Sequence, residues 1–348
     1  MSARSDGAGA GLETAAQRAP IRLRAMGSFH VGGKQITLSG KPLSQHQMAV
    51  GGAPVTLDPN GVYIVGQMYA QYFLTEPHSL SESHDVPLLF WHGGGLTGAC
   101  WERTPDGREG WLGHFLRVGW DSYLCDAAER GRSGFAPVPD VWEAPLSQSA
   151  DDVFKRFRIG PGPGPGSLDI EASRAAAYPN TKFPLEAFEA MVAQLVPRWT
   201  HTDEIIFDAY LALLDRVGES AIVCHSQGGV FGIRAAMRRP EKVRAVVALE
   251  PAAVPDAVAS EAFGYDVPTL ILMGDNMDTD ARWPTTRANI MAFAARHACV
   301  EVVSLPALGI TGNSHMLMMD TNSEQLADIA QRWLNDTCSG TTERQASS

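Results

Sequence analysis

The sequence predicts an α/β protein, mainly parallel in its central sheet, with helices on both faces. Three observations carry this reading. Apolar runs recur from residue 86 onward: "VPLLFW" (86–91), "SYLC" (122–125), "AIVC" (221–224), "RAVVAL" (244–249), "PTLILM" (268–273) and "CVEVVSL" (299–305). They are continuous rather than alternating, as strands buried on both faces are. The stretches between them are helix-like, and that alternation builds a layered sheet. A chain of 348 residues, 45% of them apolar, suffices for one large domain or two ordinary ones.

Taken in order, the first twenty residues are small and polar and are expected to form a disordered lead-in. "GSFHVGG" and "KQITLSG", meeting at Gly32-Gly33, predict an N-terminal β-hairpin, and "GVYIVGQMYAQYFL" a further strand. Between residues 135 and 203 the alternation lapses into "APVPDVWEAPLSQS", "GPGPGPG" and the apolar "FPLEAFEAMVAQLVPRW". A structureless loop that long is uncommon, so this reads as an insertion with helices of its own, a lid over the sheet's carboxyl edge. "GPGPGPG" is no phosphate loop, because alternating prolines remove the N–H groups that would cradle one. "DEIIFDAYLALLDRVG" predicts a helix, with Asp203 as N-cap and Gly218 as its stop. "SEQLADIAQRWLND" predicts a closing amphipathic helix, followed by a flexible tail at 339–348. Residues 21–338 are thus expected to form a single domain.

Acidic residues outnumber basic ones by 39 to 28, for a net charge of −11. No basic block supplies a phosphate-neutralising surface, which argues against nucleic acid as a partner. No run of eighteen apolar residues suggests a membrane span, and the opening residues lack the apolar core of an export signal. The expected location is the cytoplasm as the chain is written, or outside the cell if the native start is missing. Five scattered cysteines fit neither a disulfide scaffold nor zinc spacing. Cys125 and Cys224 end apolar runs and are expected as buried thiols, while a bridge among Cys100, Cys299 and Cys338 stays open.

The chemistry is carried by "AIVCHSQGGVFG" (221–232). Ser226 stands between a strand and a glycine-rich helix start, as in the nucleophile elbow G-x-S-x-G, with Cys224 where the first glycine belongs. Cysteine is small enough to fit, so Ser226 remains the expected nucleophile. His225 is adjacent, but neighbours on such a turn point apart, and it is expected to pack beside the elbow. A serine needs a histidine base, and that histidine a carboxylate. His315, in "GITGNSHMLMMD", is the only histidine beyond the last strand run. For the acid, "GDNMDTD" offers Asp275, Asp278 and Asp280, while Glu250 ends the run one strand earlier. "FWHGGGLTG" (90–98), with Gly93, Gly94 and Gly95, suits a loop whose N–H groups face a developing oxyanion, the second donor being the N–H of Gln227.

Together "WHGGGLTG", "DAAERGRSG", "CHSQGG", "VVALEP", "GDNMD" and "NSHMLMMD" resemble an α/β-hydrolase. The likeness is to the small bacterial esterase group of Alcaligenes type and spans roughly residues 26–335. The N-terminal "GSFHVGG" and "GQMY" and the lid's "FP" and "VPRW" are similar too. The resemblance implies Glu250 as the acid, with Asp278 the alternative, and Gly94 and Gln227 as oxyanion donors. Two features depart from the group: some relatives carry cysteines where this chain has "HGGG", and many are exported. The implied activity is serine carboxylic-ester hydrolysis of a small or medium ester, or a lactone, through an acyl-enzyme, with no metal or organic cofactor. An acyltransferase or perhydrolase would use the same residues, and a non-catalytic binding module would use only the fold. Phe183, Phe188, Met191 and Trp199 are expected as apolar walls of the substrate pocket or as lid core, with Gly95 beside them. A homodimer stays open.

Overall fold

A computed structural model describes residues 19–76, 84–135 and 144–338. The expected lead-in, but for residues 19 and 20, and the expected tail lie outside these. Ten strands are present among them: β1 (Leu23–Leu38), β2 (Ser44–Gln47), β3 (Pro54–Leu57), β4 (Gly61–Thr75), β5 (Leu88–Trp91), β6 (Ser122–Asp126), β7 (Ser220–His225), β8 (Val243–Leu249), β9 (Thr269–Met273) and β10 (Val300–Ser304). Eight make one sheet in the order β1-β4-β6-β5-β7-β8-β9-β10, parallel from β6 to β10 and antiparallel at the β1 and β4 edge. The helices, in chain order, are α1 (Ala99–Glu102), α2 (Trp111–Arg117), α3 (Ala150–Arg156), α4 (Ile170–Ala176), α5 (Phe188–Val192), α6 (Asp203–Val217), α7 (Gln227–Arg238), α8 (Ala257–Phe263), α9 (Trp283–Arg296) and α10 (Ser323–Cys338).

The period of two along each strand explains why the runs are continuously apolar. Leu88 and Phe90, Ala221 and Val223, and Ala245, Val247 and Leu249 enter one core, shared with Phe115 of α2 and Leu326 and Leu334 of α10. Leu89 and Trp91, Ile222 and Cys224, and Val246 and Ala248 enter the other, shared with Tyr210 of α6, Phe231 of α7 and Phe293 of α9. In β5, β7 and β9 every position is buried against one layer or the other.

The expected N-terminal hairpin takes a different form. β1 runs straight through Gly32-Gly33 and pairs with β4, Gly32 opposite Gln67, while the chain reverses through the small β2 and β3 pair. Gly32 and Gly33 have φ of 69° and 78°, which resembled a turn in the sequence. Here they let the ribbon lie against α6: a Cβ on Gly32 would come 3.1 Å from Ala209 Cα. α6 starts with Asp203 as its first residue, not its cap, and the preceding Thr202 hydroxyl donates instead to Glu129. All five cysteines are thiols, so no bridge joins Cys100, Cys299 and Cys338.

Residues 144–202 carry α3, α4, a 3-10 turn (Leu185–Ala187) and α5. The segment is tied to loops at the carboxyl ends of strands: Val196 N–H donates to Gly95 O (2.9 Å), His315 N–H to Phe157 O (2.8 Å) and Lys182 N–H to Gly312 O (2.7 Å).

Candidate active site

Ser226 joins β7 to α7 with φ 52° and ψ −114°, a backbone state that L-residues rarely adopt and that needs support around it. The support comes from hydrogen bonds and missing side chains. Ser226 N–H donates to Leu249 O, and its carbonyl accepts from Gly229 and Ala252 N–H, each at 3.0 Å. A Cβ on Gly228 would lie 2.6 Å from the carbonyl oxygens of Trp91 and His92, and one on Gly229 would lie 2.8 Å from Pro251 Cβ. Cys224 is accommodated on the same principle: a Cβ on Gly232, in the second turn of α7, would stand 2.8 Å from Cys224 Sγ. The small residue missing from the strand is supplied by the helix facing it. Burial pushes the Cys224 thiol up, so it is inert as a nucleophile.

His315 sits on the loop after β10 and faces the cavity that Ser226 also lines. Its Nδ1 meets Glu250 Oε2 at 2.5 Å. A carboxylate accepts there, so Nδ1 carries the proton and Nε2 is free to take one. The Ser226 hydroxyl makes no hydrogen bond among the described residues, and catalytic contacts of this kind often close only around substrate. Phe157, Trp283 and His225 surround the imidazole, with ring centroids 5.7, 5.4 and 4.6 Å away. Burial therefore lowers the His315 pKa, against the opposing pull of Glu250, with Arg158 and Arg282 lowering it further.

Glu250, itself at φ 44°, is fully buried at the end of β8. Its Oε1 accepts from Gly274 N–H (2.7 Å) and from the guanidinium of Arg158, which also donates through Nε to Asp275 O (2.8 Å). Burial would raise this carboxyl, but Arg158 and the His315 hydrogen bond outweigh it and hold it down to about 2. Asp278, the alternative acid, is elsewhere: its side chain is 74% exposed and paired with Arg287 at 2.8 Å. Asp275 accepts from Gly312 N–H (2.8 Å), and Asp280 pairs with Arg282.

His225 is buried and donates from Nε2 to His315 O (2.9 Å), tying the elbow to the histidine loop. Asp320 braces that loop from behind, accepting from Ser314 N–H (2.9 Å), Ser314 Oγ (2.7 Å) and Asn313 Nδ2 (2.9 Å).

The glycine loop after β5 is pinned at both ends. His92 is buried and its pKa falls to about 4; its Nδ1 donates to Gly93 O (2.8 Å) and its Nε2 accepts from Ala127 N–H (3.0 Å). Asp126, at the end of β6, accepts from Gly98 N–H (2.8 Å). The close packing explains the glycines: a Cβ on Gly93 would strike His225 Nδ1 at 2.6 Å, and one on Gly94 would strike Arg198 Nη1 at 2.1 Å. The N–H groups of Gly94 and Gln227 make no hydrogen bond among the described residues; for Gln227, the first residue of α7, this is the usual orphan donor.

The lid residues are placed differently from the pocket walls that the sequence allowed. Phe183, Phe188 and Met191 are buried in the main core beside Phe154, and Trp199 is buried against Val65 and Phe135. None of them lines the cavity at Ser226, because their rings pack the lid onto the domain rather than facing its opening. Gly95, at φ 74°, turns toward the lid at Val196 and Gln148 and is also absent from that lining. None of the arginines at the candidate site was singled out in the sequence. Arg158 was signalled only by an arginine inside the apolar "FRIG", and Arg198 only by its place in "VPRW". Among the described residues no cluster of three or more His, Cys, Asp or Glu side chains is arranged to hold a metal ion. No helix among them is long and apolar enough to cross a membrane.

A mainly parallel eight-stranded sheet with a strand-turn-helix elbow carrying a serine at its carboxyl edge is the α/β-hydrolase fold. The comparisons with known proteins narrow this. A solved structure described as a novel bacterial esterase superposes with a TM-score of 0.76 at 29% identity, covering 92% of this chain and 98% of its own. A protein of Fungal sp. (strain ATCC 74256), described as a probable secreted lipase, is 27% identical over 328 residues, which are 78% of this chain and 88% of the fungal one. No family model matches the chain. The fold is thus that of an esterase or lipase-like hydrolase.

Proposed function

We propose that the protein is a serine carboxylic-ester hydrolase with Ser226 as nucleophile, His315 as base, Glu250 as the acid that orients it, and the N–H groups of Gly94 and Gln227 as oxyanion donors. The observation that carries this is the His315 to Glu250 contact at 2.5 Å, on an imidazole that shares its cavity with a serine at positive φ. Ser226 Oγ attacks the ester carbonyl while His315 Nε2 takes its proton, and the carbonyl electrons move onto the oxygen faced by the two N–H groups. Collapse of that intermediate expels the alcohol, which receives the proton from the imidazolium. Water then attacks the acyl-enzyme with the same base, releasing the carboxylic acid and restoring the Ser226 hydroxyl. Arg158 is a positioning residue here: it holds the carboxylate and keeps it ionised, so that the carboxylate fixes the tautomer.

The experiment is to quench the enzyme during turnover of a p-nitrophenyl ester at low pH and map the adduct by mass spectrometry. An acyl group on the peptide containing Ser226 supports the reading. Turnover with no acylated protein, or acylation elsewhere, overturns it.

A further inference from the structure

The cavity over Ser226 is small and cationic. It measures about 130 Å³. Three arginines line it, Arg156, Arg198 and Arg282, together with Ser226, His315 and Gly94; no acidic side chain does. Two of the three are already engaged: Arg156 pairs with Asp152 at 2.6 Å and Arg282 with Asp280 at 2.5 Å.

Arg198 differs. Its side chain makes no hydrogen bond or ion pair among the described residues, and its guanidinium rests directly on Gly94, where any Cβ would strike Nη1. The carboxylates that attract it from a distance, Asp203 and Glu129, are bonded elsewhere, to Gln227 Nε2 (2.8 Å) and to Arg130 and Thr202. Burial lowers its pKa, as does the charge of Arg130 behind it. A half-buried guanidinium without a counter-charge is costly to hold, and the cost is relieved by an anion that brings two oxygens to its fork. A neutral ester leaves it unpaired.

We propose that this cavity selects esters that carry a carboxylate close to the scissile carbonyl, with Arg198 as the anchor and Arg282 and Arg156 as flanking charges. The inference rests on the ester-hydrolase reading of the same site. The half-esters of short dicarboxylic acids are the chemical class it names: the ester carbonyl lies at Ser226 and the free carboxylate reaches Arg198, a few bonds away. Arg198 rests on the Gly94 loop beside Ser226, and this closeness keeps the class to short diacids.

The test separates recognition from turnover. In the Ser226→Ala background, monomethyl glutarate and dimethyl glutarate are titrated by calorimetry. The monoanion is expected to bind at least about tenfold tighter, equivalent to about 1.4 kcal/mol. Arg198→Met, which keeps an apolar stem in place, is expected to bring the two within about twofold. Arg282→Gln, at a half-exposed side chain, is expected to reduce the preference in part. Equal binding of the two ligands, or a preference that survives Arg198→Met, overturns the proposal.

With Ser226 present, kcat/KM for p-nitrophenyl hydrogen glutarate against p-nitrophenyl butyrate should show the same preference and the same loss. If Arg198→Met slows both esters alike, Arg198 serves the oxyanion rather than a substrate carboxylate, and the proposal is overturned. Selective binding without hydrolysis of either ester would sink the hydrolase reading and leave the recognition standing. Hydrolysis of the neutral ester without preference would do the reverse.

Discussion

Cys224 and Gly232 form a matched pair, and the match can be measured. Gly232→Ala would put a methyl 2.8 Å from Cys224 Sγ, with the next neighbour, Ile222 Cγ2, at 3.4 Å. Against an ordinary separation of about 3.5–4.0 Å the overlap with sulfur is nearly an ångström. Overpacking of this kind costs roughly 1–3 kcal/mol, offset by the gain of about 0.8–1.0 kcal/mol when alanine replaces glycine inside a helix. The single variant should therefore be destabilised by up to about 2 kcal/mol. Cys224→Gly alone loses a buried side chain and adds strand flexibility, costing about 1–2 kcal/mol. In the double variant the overlap is gone and the helix gain remains. The two changes should thus couple favourably by roughly 1–3 kcal/mol. Urea unfolding of the four proteins measures this, with ester hydrolysis reporting whether the elbow keeps its geometry. Additivity within about 0.5 kcal/mol would show that strand and helix do not press on each other at this point.

Other consequences follow from the same contacts. Glu250→Gln should lower kcat by about three to four orders of magnitude with the fold intact, while Asp278→Asn, at an exposed ion pair, should stay near wild type; steady-state kinetics on one p-nitrophenyl ester compares them. The acidic limb of kcat/KM should lie below the ordinary histidine range, because burial lowers the pKa of His315 and the neutral imidazole is the active form. Arg158→Met removes a charge that opposes the imidazolium, so the limb should move to higher pH; an unmoved or lower limb would refute that role. Glu250 is held down to about 2 in the folded state, so its contribution is present above the unfolded carboxyl pKa and is lost as pH falls toward 2. Urea midpoints against pH should therefore fall more steeply below about 4.5 for wild type than for Glu250→Gln.

What the sequence made legible was what depends on short stretches. The strands from β5 to β9 stood out because their central side chains alternate between two apolar cores, so that few polar positions break the run. Ser226 was recognisable because the strand, the turn and the glycines that it needs are contiguous. Gly32-Gly33 was misread as a reversal because positive φ serves a bend over α6 as well as a turn. The contacts that cross the chain were out of reach. Arg158 meets a glutamate 92 residues away, and nothing near it in sequence announces the pairing. Arg198 matters because a loop a hundred residues earlier lies beneath it. The lid aromatics pattern alike whether they face a pocket or a core, and only packing distinguishes the two.

The proposed role of the Ser226 hydroxyl is tested by comparing purified wild type and Ser226→Ala on p-nitrophenyl esters of increasing acyl length, with circular dichroism to check the fold. Wild type is expected to release p-nitrophenol and the variant to lose about 10⁴-fold or more of that rate, with any residual rate supplied by the oxyanion donors; loss of rate in the variant would establish the hydroxyl as the nucleophile. Equal rates in two folded proteins would contradict it.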